Sequence, residues 1–570
     1  MAWEITYDKW LNHEQLSRQE KEQLKNMTMN EAEDAFYQAL TFGTAGMRGK
    51  MGLGTNRMNK YIVRQATQGL VELLKEKHTQ AKVVIAYDSR HHSADFAKEA
   101  ARTLATAGIH VYLFESLRAT PELSFAVRHL HAQAGIMMTA SHNPPAYNGY
   151  KVYNALGGQL LPEAAEKLLQ NMQKITDPLQ IKVQDFASLK HSGIVEMIGE
   201  TVGSAYLAEL KQITRAKEVV AEKGKTLNII YTPLHGVGEM IATRALKQAG
   251  FTQVQVVEAQ ADEDPNFSTV DSPNPEKTAA FSLAIEQAQA AAADIVVATD
   301  PDADRIGVAV RQPNNEYLLL TGNQLAALLV DYILSTQTDR QELTSASRLV
   351  TTIVSSTLPE HIGQYYGVKT DYVLTGFKYI AETIERYEKT GKQFAFGFEE
   401  SMGYLVAPFV RDKDAFQTML VVGELALQLK EQGKTLIDHL NGLYDKYGYF
   451  LEKTIDHTFS GAQGSEKIKM LLTAIRNKLP NTIAGQKVTV AEDYLTQERI
   501  AQGQTEKITG FPVADVLRFK LHDGSWLAIR PSGTEPKIKF YIGIRAKNSA
   551  IAANELQQLE AVVKDWLSAV

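Results

Sequence analysis

Ala134-Gly-Ile-Met-Met138 runs directly into Thr139-Ala-Ser-His-Asn-Pro-Pro-Ala-Tyr-Asn-Gly-Tyr-Lys151. The first five residues are small or apolar without a polar break, the texture of a strand covered on both faces. The residues after Met138 cannot continue that strand. Pro144 and Pro145 fix the backbone and remove amide donors, and Asn148-Gly149 is a turn pair. Ser141 therefore sits on a stiff, non-helical loop at the end of a buried strand, a platform that suits a nucleophile. Neighbouring residues of extended chain point to opposite sides, so adjacency alone does not make His142 a base for Ser141, and a plain Ser-His hydrolase is disfavoured.

The same pairing of buried strands with polar loops occurs three times. The first copy has Val83-Val-Ile-Ala-Tyr-Asp-Ser-Arg90 and the stretch through Ser141. The second has Leu227-Asn-Ile-Ile-Tyr-Thr-Pro-Leu-His-Gly236 and Asp294-Ile-Val-Val-Ala-Thr-Asp300, and the third Leu349-Val-Thr-Thr-Ile-Val-Ser-Ser356 and Phe394-Ala-Phe-Gly-Phe-Glu-Glu-Ser401. Helical segments lie between them at 93–107, 239–249 and 379–389, closed by Gly108, Gly250 and Gly391. Alternating strands and helices predict an α/β fold of three similar domains with mixed, mostly parallel sheets, ligand loops gathering at the strand C-terminal ends around a central cleft. Beyond Gly448 the texture changes, with strands at 450–459, 517–520, 526–530 and 538–544 and helices at 465–478 and 549–569, a C-terminal α+β domain. The expected division is a helical arm over 1–40, α/β domains over 41–205, 206–318 and 319–447, and the α+β domain over 448–570. In the arm, Thr28-x-x-Glu31 is a capping-box pattern.

A chain of 570 residues is too long for one core and predicts about four domains. Its 44% hydrophobic and 22% charged content is ordinary for globular proteins. No apolar run approaches the roughly 18 residues of a membrane span, and Met1-Ala-Trp-Glu lacks the features of a secretory signal, so a cytoplasmic protein without a membrane partner is expected. The absence of cysteine excludes disulfides, thiolate catalysis and cysteine-bound zinc. A net charge of -6 argues against nucleic acid as a partner and is compatible with a small anionic substrate. No pattern in the sequence specifies an oligomer.

Several loops carry chemistry. Phe42-Gly-Thr-Ala-Gly-Met-Arg-Gly49 lets backbone approach a ligand and offers Arg48 as a fork of donors. Asp300-Pro-Asp-Ala-Asp-Arg305 puts carboxylates at every second residue, on one side of an extended chain, where a divalent cation would relieve their repulsion; oxygen ligands suit magnesium. A calcium EF-hand starting at Asp300 fails, because Arg305 and Arg311 stand where glycine and glutamate are needed. An aspartyl-nucleophile sugar phosphatase using Asp300 survives as a different class. Glu399-Glu-Ser401 offers acceptors and a hydroxyl suited to vicinal sugar hydroxyls. Thr375-Gly-Phe-Lys378 and Arg411-Asp-Lys-Asp414 add cations, and Arg530-Pro-Ser-Gly-Thr-Glu-Pro-Lys537 has the chemistry of a phosphate cradle. Together these loops fit phosphoryl transfer on a phosphorylated sugar.

In order and spacing the loops resemble those of the α-D-phosphohexomutase family, over nearly the whole chain beyond the arm. Thr-Ala-Ser-His-Asn-Pro resembles its phosphoserine loop, Asp-Pro-Asp-Ala-Asp-Arg its magnesium loop, Gly-Phe-Glu-Glu-Ser its sugar loop and Arg-Pro-Ser-Gly-Thr-Glu-Pro-Lys its phosphate loop. The Glu-Glu-Ser form is similar to the phosphoglucomutase branch. The resemblance implies a phosphorylated Ser141, with Mg2+ held by Ser141, Asp300, Asp302 and Asp304. It also implies interconversion of glucose 1-phosphate and glucose 6-phosphate through glucose 1,6-bisphosphate, mannose and pentose phosphates being alternatives by the same mechanism. Arg305, Thr375, Gly376, Lys378, Glu399, Ser401, Arg530, Ser532, Gly533, Thr534 and Lys537 are the substrate-binding residues that it implies. Lys151 and Lys413 resemble the family's proton-transfer residues, with Arg48 beside them and a lysine pKa lowered by neighbouring cations. Some relatives carry histidine after the sugar-loop glycine where Tyr404 follows Gly403 here, and the base stays open among Lys151, Lys413 and His142.

Overall fold

The computed structural model describes residues 2–43, 46–459, 464–532 and 536–570, which fall into two compact units: 1–322 with 376–435, and 323–375 with 436–570. The first unit opens with three short helices, Ala2–Leu11, Arg18–Lys25 and Met29–Phe36. The capping box at Thr28 forms: the Glu31 amide donates to Thr28 Oγ1, and the Thr28 amide to the Glu31 carboxylate. These helices dock through Trp10, whose ring meets Phe36 and Tyr61 edge-on at 5.6 and 5.7 Å. Each such buried aromatic contributes about 1.5–3 kcal/mol.

Next comes a seven-stranded mixed sheet, with Phe42–Gly43, Gly46–Lys50, Tyr147–Asn154, Ala134–Met138, Lys82–Tyr87, His110–Phe114 and Val195–Ile198 in spatial order. Its parallel half runs Ala134–Met138, Lys82–Tyr87, His110–Phe114 and Val195–Ile198, and its antiparallel edge begins where Met137 pairs with Lys151. All five residues of Ala134–Met138 are buried, as the unbroken apolar run predicts. Gly135 is needed there for a packing reason: a Cβ would lie 2.6 Å from Val127 Cγ2, on the helix Thr120–His129. That closeness packs the helix tightly onto the strand.

The second sheet has the order Tyr317–Leu319, Ile306–Arg311, Ile295–Thr299, Ile229–Thr232, Val254–Val256, parallel from Ile295–Thr299 onward. Its helix Glu239–Ala249 ends at Gly250 in the left-handed conformation, as expected. The first unit also holds the antiparallel pair Gln393–Glu399 and Gly403–Leu405 with the helices Phe377–Thr390 and Ala415–Glu431. Helix boundaries shift by a residue or two from expectation: 93–107 is Ser93–Thr106, and 379–389 is Phe377–Thr390.

The second unit contains the parallel pair Ser347–Thr352 and Lys369–Val373, the helix Leu436–Tyr447 and an antiparallel sheet. In that sheet Tyr449–Thr458, Lys537–Ala546, Trp526–Pro531, Leu517–Leu521 and Gln486–Asp493 lie side by side. Its core holds Leu472 of the helix Gly464–Asn477 and Leu559 of Ser549–Ser568 together with Phe519, Leu527 and Phe540. The α/β layers with mixed sheets and the C-terminal α+β part expected from the sequence are thus present. Among the described residues, no helix is long and apolar enough to cross a membrane.

Candidate active site

Three loops of the first unit leave the C-terminal ends of buried strands, where α/β sheets collect ligands. Ser141 follows Ala134–Met138, Asp300 follows Ile295–Thr299, and Glu399 ends Gln393–Glu399. Ser141 has a φ of 53°, in the left-handed region that a residue with a Cβ enters only at a cost. Its amide donates to Thr139 Oγ1 at 2.8 Å and its hydroxyl to Asp300 Oδ2 at 2.6 Å. The same bend brings His142 Nδ1 to 3.3 Å from Ser141 Oγ. The expectation that the two side chains diverge is therefore corrected; it assumed extended chain, and here the chain is left-handed.

The aspartate loop is likewise a turn, not an extended segment: Ala303 has a φ of 51° and its amide donates to the Asp300 carbonyl at 2.9 Å. The carboxylates converge all the same, with oxygens of Asp300, Asp302 and Asp304 within 4.8 Å of one another, all buried. The Asp304 and Arg305 amides donate to Asp300 Oδ1 at 3.2 and 3.0 Å. Thr120 holds Asp302 twice, through its hydroxyl to Oδ2 at 2.7 Å and its amide to the backbone carbonyl at 2.9 Å. Lys151 Nζ lies 2.7 Å from Asp302 Oδ2 and 3.4 Å from Asp304 Oδ2, and Lys413 Nζ 3.1 Å from Asp304 Oδ2.

Asp302 Oδ1 and Asp304 Oδ1 are buried without a hydrogen-bond partner. Leaving such oxygens unsatisfied is costly, and two of them beside Asp300 fit a hard divalent cation that takes oxygen ligands and keeps positions open for phosphate. Magnesium suits this donor set.

Charges here perturb one another strongly. Burial, then repulsion from Asp302 and Asp304, pushes the Asp300 carboxyl well above its ordinary range. Burial also works against ionised Asp304, but Lys413, Lys151 and Arg305 outweigh it and hold that carboxyl well below the usual value. Lys151 and Lys413 are raised: burial lowers each, and the neighbouring carboxylates more than offset it. A lysine lowered by adjacent cations, expected from the sequence, is thus corrected, because the carboxylates within 3.4 Å of the two ammonium groups outweigh the effect of Arg48 and Arg305. His142 is depressed well below its ordinary value by burial and by Arg305 and Arg48.

The surrounding residues fix this cluster. Asp412 accepts from Tyr153 and Gln159, each at 2.8 Å, and lies 3.2 Å from Lys413 Nζ. The Lys413 stem passes so close to Gly403 that a Cβ there would lie 2.1 Å from its Cδ. Tyr404 donates to the Gly322 carbonyl at 2.9 Å. Glu399, raised by burial, accepts from the Gly376 amide at 2.8 Å. Arg305 Nη1 donates to Glu276 at 2.5 Å and Arg48 Nη1 to Asn143 Oδ1 at 3.3 Å. Lys378 is buried, its ammonium 5.4 Å from the Tyr379 ring centre, and Ser401 is half-buried just beyond Glu399.

Thr375 closes the first segment of the second unit, which also holds the expected phosphate loop. There the Ser532 amide donates to the Lys537 carbonyl at 2.7 Å, Lys537 Nζ lies 2.8 Å from Asp456, and Arg530 is the penultimate residue of the strand Trp526–Pro531. Gly533 and Thr534 lie outside the described residues. Sequence reasoning missed Thr120, Arg90, Asp412 and Glu276 as contributors. Arg90 and Asp412 carried a signal, Arg90 in the polar loop that ends a buried strand and Asp412 in the loop Arg411-Asp-Lys-Asp414.

A serine hydroxyl, clustered carboxylates and a ring of cations meeting inside repeated α/β layers define the class: an enzyme moving a phosphoryl group between positions of a sugar, a phosphohexomutase. Models of the phosphoglucomutase/phosphomannomutase family match along the chain, α/β/α domain I over 39–178, II over 204–314, III over 321–447 and the C-terminal domain over 484–560. Over 532 residues the chain is 40% identical to the phosphoglucomutase of Staphylococcus aureus (strain MSSA476), covering 93% of this chain and 94% of that one. It is 39% identical over 517 residues to that of Staphylococcus haemolyticus (strain JCSC1435), covering 90% and 92%. Among solved structures, the fold is similar to pp63/parafusin from Paramecium (TM-score 0.69, 17% identity, 92% and 95% covered). It is also similar to a phosphoglucomutase/phosphomannomutase family protein from Burkholderia thailandensis (TM-score 0.65, 18% identity, 93% and 97% covered). The chain belongs to the phosphoglucomutase/phosphomannomutase family and is an isomerase.

Proposed function

We propose that this enzyme interconverts α-D-glucose 1-phosphate and glucose 6-phosphate through a phosphorylated Ser141 and bound glucose 1,6-bisphosphate. The observation that carries this reading is the 2.6 Å contact of Ser141 Oγ with Asp300 in a buried cluster whose two unsatisfied carboxylate oxygens fit a cation. Magnesium, held by Asp300, Asp302, Asp304 and the Ser141 phosphate, would supply charge neutralisation for phosphoryl transfer. The bond between Ser141 Oγ and phosphorus breaks as the free sugar hydroxyl bonds to phosphorus, and the hydroxyl proton is taken by a general base, either the neutral imidazole of His142 or whichever of Lys151 and Lys413 has first given up its own proton. The bisphosphate turns over and returns its other phosphoryl group to Ser141.

Arg48 and Arg305 face the transferring charge. Glu399 and Ser401, with Thr375, Gly376 and Lys378, read the sugar hydroxyls, while Arg530, Ser532, Gly533, Thr534 and Lys537 hold the phosphate that does not react. In this reading the domains are those bounded at 41–205, 206–318, 319–447 and 448–570. Glucose is favoured over mannose and pentose phosphates because the staphylococcal relatives are phosphoglucomutases.

Mass spectrometry of the peptides containing Ser141 and Asp300, after incubation with magnesium and glucose 1,6-bisphosphate, tests the reading. Stable phosphate on Ser141 is expected, lost in Ser141→Ala. An acid-labile phosphate on Asp300, or none on either peptide, would defeat it.

A further inference from the structure

The Ser141 loop has a shortage of donors. Pro144 and Pro145 contribute no amide hydrogen, yet the loop's carbonyls are turned into a buried space and need partners. One side chain meets most of that need. Arg90 Nη2 donates to the carbonyls of Ser141 and Asn143, each at 2.5 Å, and Nη1 to those of Pro144 and Tyr147, each at 3.0 Å. A planar guanidinium can serve four acceptors from one fixed fork, and an ammonium cannot reproduce that pattern.

Arg90 is itself held rigidly. Its side chain is fully buried 3.3 Å from Asp88, and its guanidinium lies 4.9 Å from the Phe267 ring centre. Asp88 Oδ1 accepts from Ser93 Oγ at 2.6 Å and from the Arg90 amide at 3.0 Å. The far end of the loop is tied to the same segment, since Asn148 Nδ2 donates to the His91 carbonyl and to Ser93 Oγ. The left-handed bend at Ser141 therefore lies between two anchor points on residues 88–93.

We infer that Arg90 is a positioning residue for phosphoryl transfer: it touches neither sugar nor phosphate, and by gripping the loop carbonyls it holds Ser141 Oγ against the carboxylate cluster. This rests on the proposed phosphoserine mechanism. Without the grip, the strained φ of Ser141 relaxes and its oxygen leaves the in-line position, and misplacement of about 1 Å can cost about 100-fold.

The test compares wild type, Arg90→Lys and the double variant Asp88→Asn/Arg90→Met, which removes the buried pair together and leaves no lone charge. In both variants kcat is expected to fall about 100-fold while KM for glucose 1-phosphate stays within about threefold. The rate at which Ser141 takes phosphate from glucose 1,6-bisphosphate should fall with kcat, and both variants should melt lower than wild type yet stay folded at the assay temperature. Wild-type rates, or a rise in KM at constant kcat, would overturn the inference. So would loss of folding in both variants, which would make Arg90 a folding determinant. Wild-type protein that takes no phosphate on Ser141 would instead sink the mechanism beneath it, and that control is read independently of the variants.

Discussion

Thr120 leaves one oxygen of Asp302 engaged and the other turned to the space where a cation fits. Its hydroxyl and Lys151 Nζ both take Oδ2 at 2.7 Å, so Oδ1 is the free ligand atom. Outer-shell partners of this kind typically govern metal affinity by about 10- to 100-fold. Thr120→Val, nearly isosteric and without the hydroxyl, should weaken magnesium binding by about tenfold in a calorimetric titration, and Thr120→Ser should restore it. Equal affinity in the valine variant would show that Lys151 alone orients Asp302. The carboxylate trio was legible because three aspartates at alternate positions after an apolar run carry a chemical signal that survives any backbone. Thr120 was not, because it lies 182 positions away in the chain and nothing local marks it as a partner. The proximity of Ser141 and His142 escaped for another reason: it depends on one dihedral angle that residue type does not disclose.

The helix Thr120–His129 that presents Thr120 carries Glu122 in its first turn, and there the carboxyl is 1% exposed. A negative charge near a helix N-terminus is ordinarily favourable, and the Ala119 amide donates to Glu122 at 3.1 Å. Burial nonetheless dominates and pushes the carboxyl up to about 7, with Arg118 only partly offsetting it. The folded pKa lies above the unfolded value near 4.5, so the folded state binds the extra proton. This contribution is fully present below pH 4.5 and is lost as pH rises through about 7, amounting to on the order of 3 kcal/mol. Glu122→Gln keeps the acceptor for the Ala119 amide and removes the titration. Melting temperature should thus decline less between pH 5 and 8 in the variant than in wild type, about 2–4 °C per kcal/mol for a body of this size. Parallel profiles would remove Glu122 from the balance. Elements of this kind were readable because caps, prolines and apolar periods are local. Ends moved by a residue or two where tertiary packing extended a helix, as at Phe377.

At the scale of the molecule, each of the two compact units has its own hydrophobic interior, and unfolding should not follow a single two-state transition. Phe540 is fully buried in the second unit, and Phe540→Ala should cost it about 3–5 kcal/mol. Calorimetry should show one transition moving down, while amide exchange in Ala134–Met138 of the first unit stays at wild-type protection. A single endotherm shifting as a whole would mean that the units unfold together. Four stretches of distinct texture could be counted along the chain, but grouping into discontinuous segments could not. It depends on which faces pack over long separations, and periodicity reports only that a face is apolar.

That discontinuity bears on synthesis. The first unit can close once residue 435 has emerged, because both of its segments are then present. Residues 323–375 have no such option: the rest of their unit, 436–570, is made last. At ordinary elongation rates roughly ten to forty seconds separate the synthesis of residue 375 from that of residue 570, so the unit that contains the parallel pair Ser347–Thr352 and Lys369–Val373 completes its core late. During that interval the incomplete unit is the part of the chain most exposed to misassembly, and slow codons downstream of residue 375 would lengthen the wait.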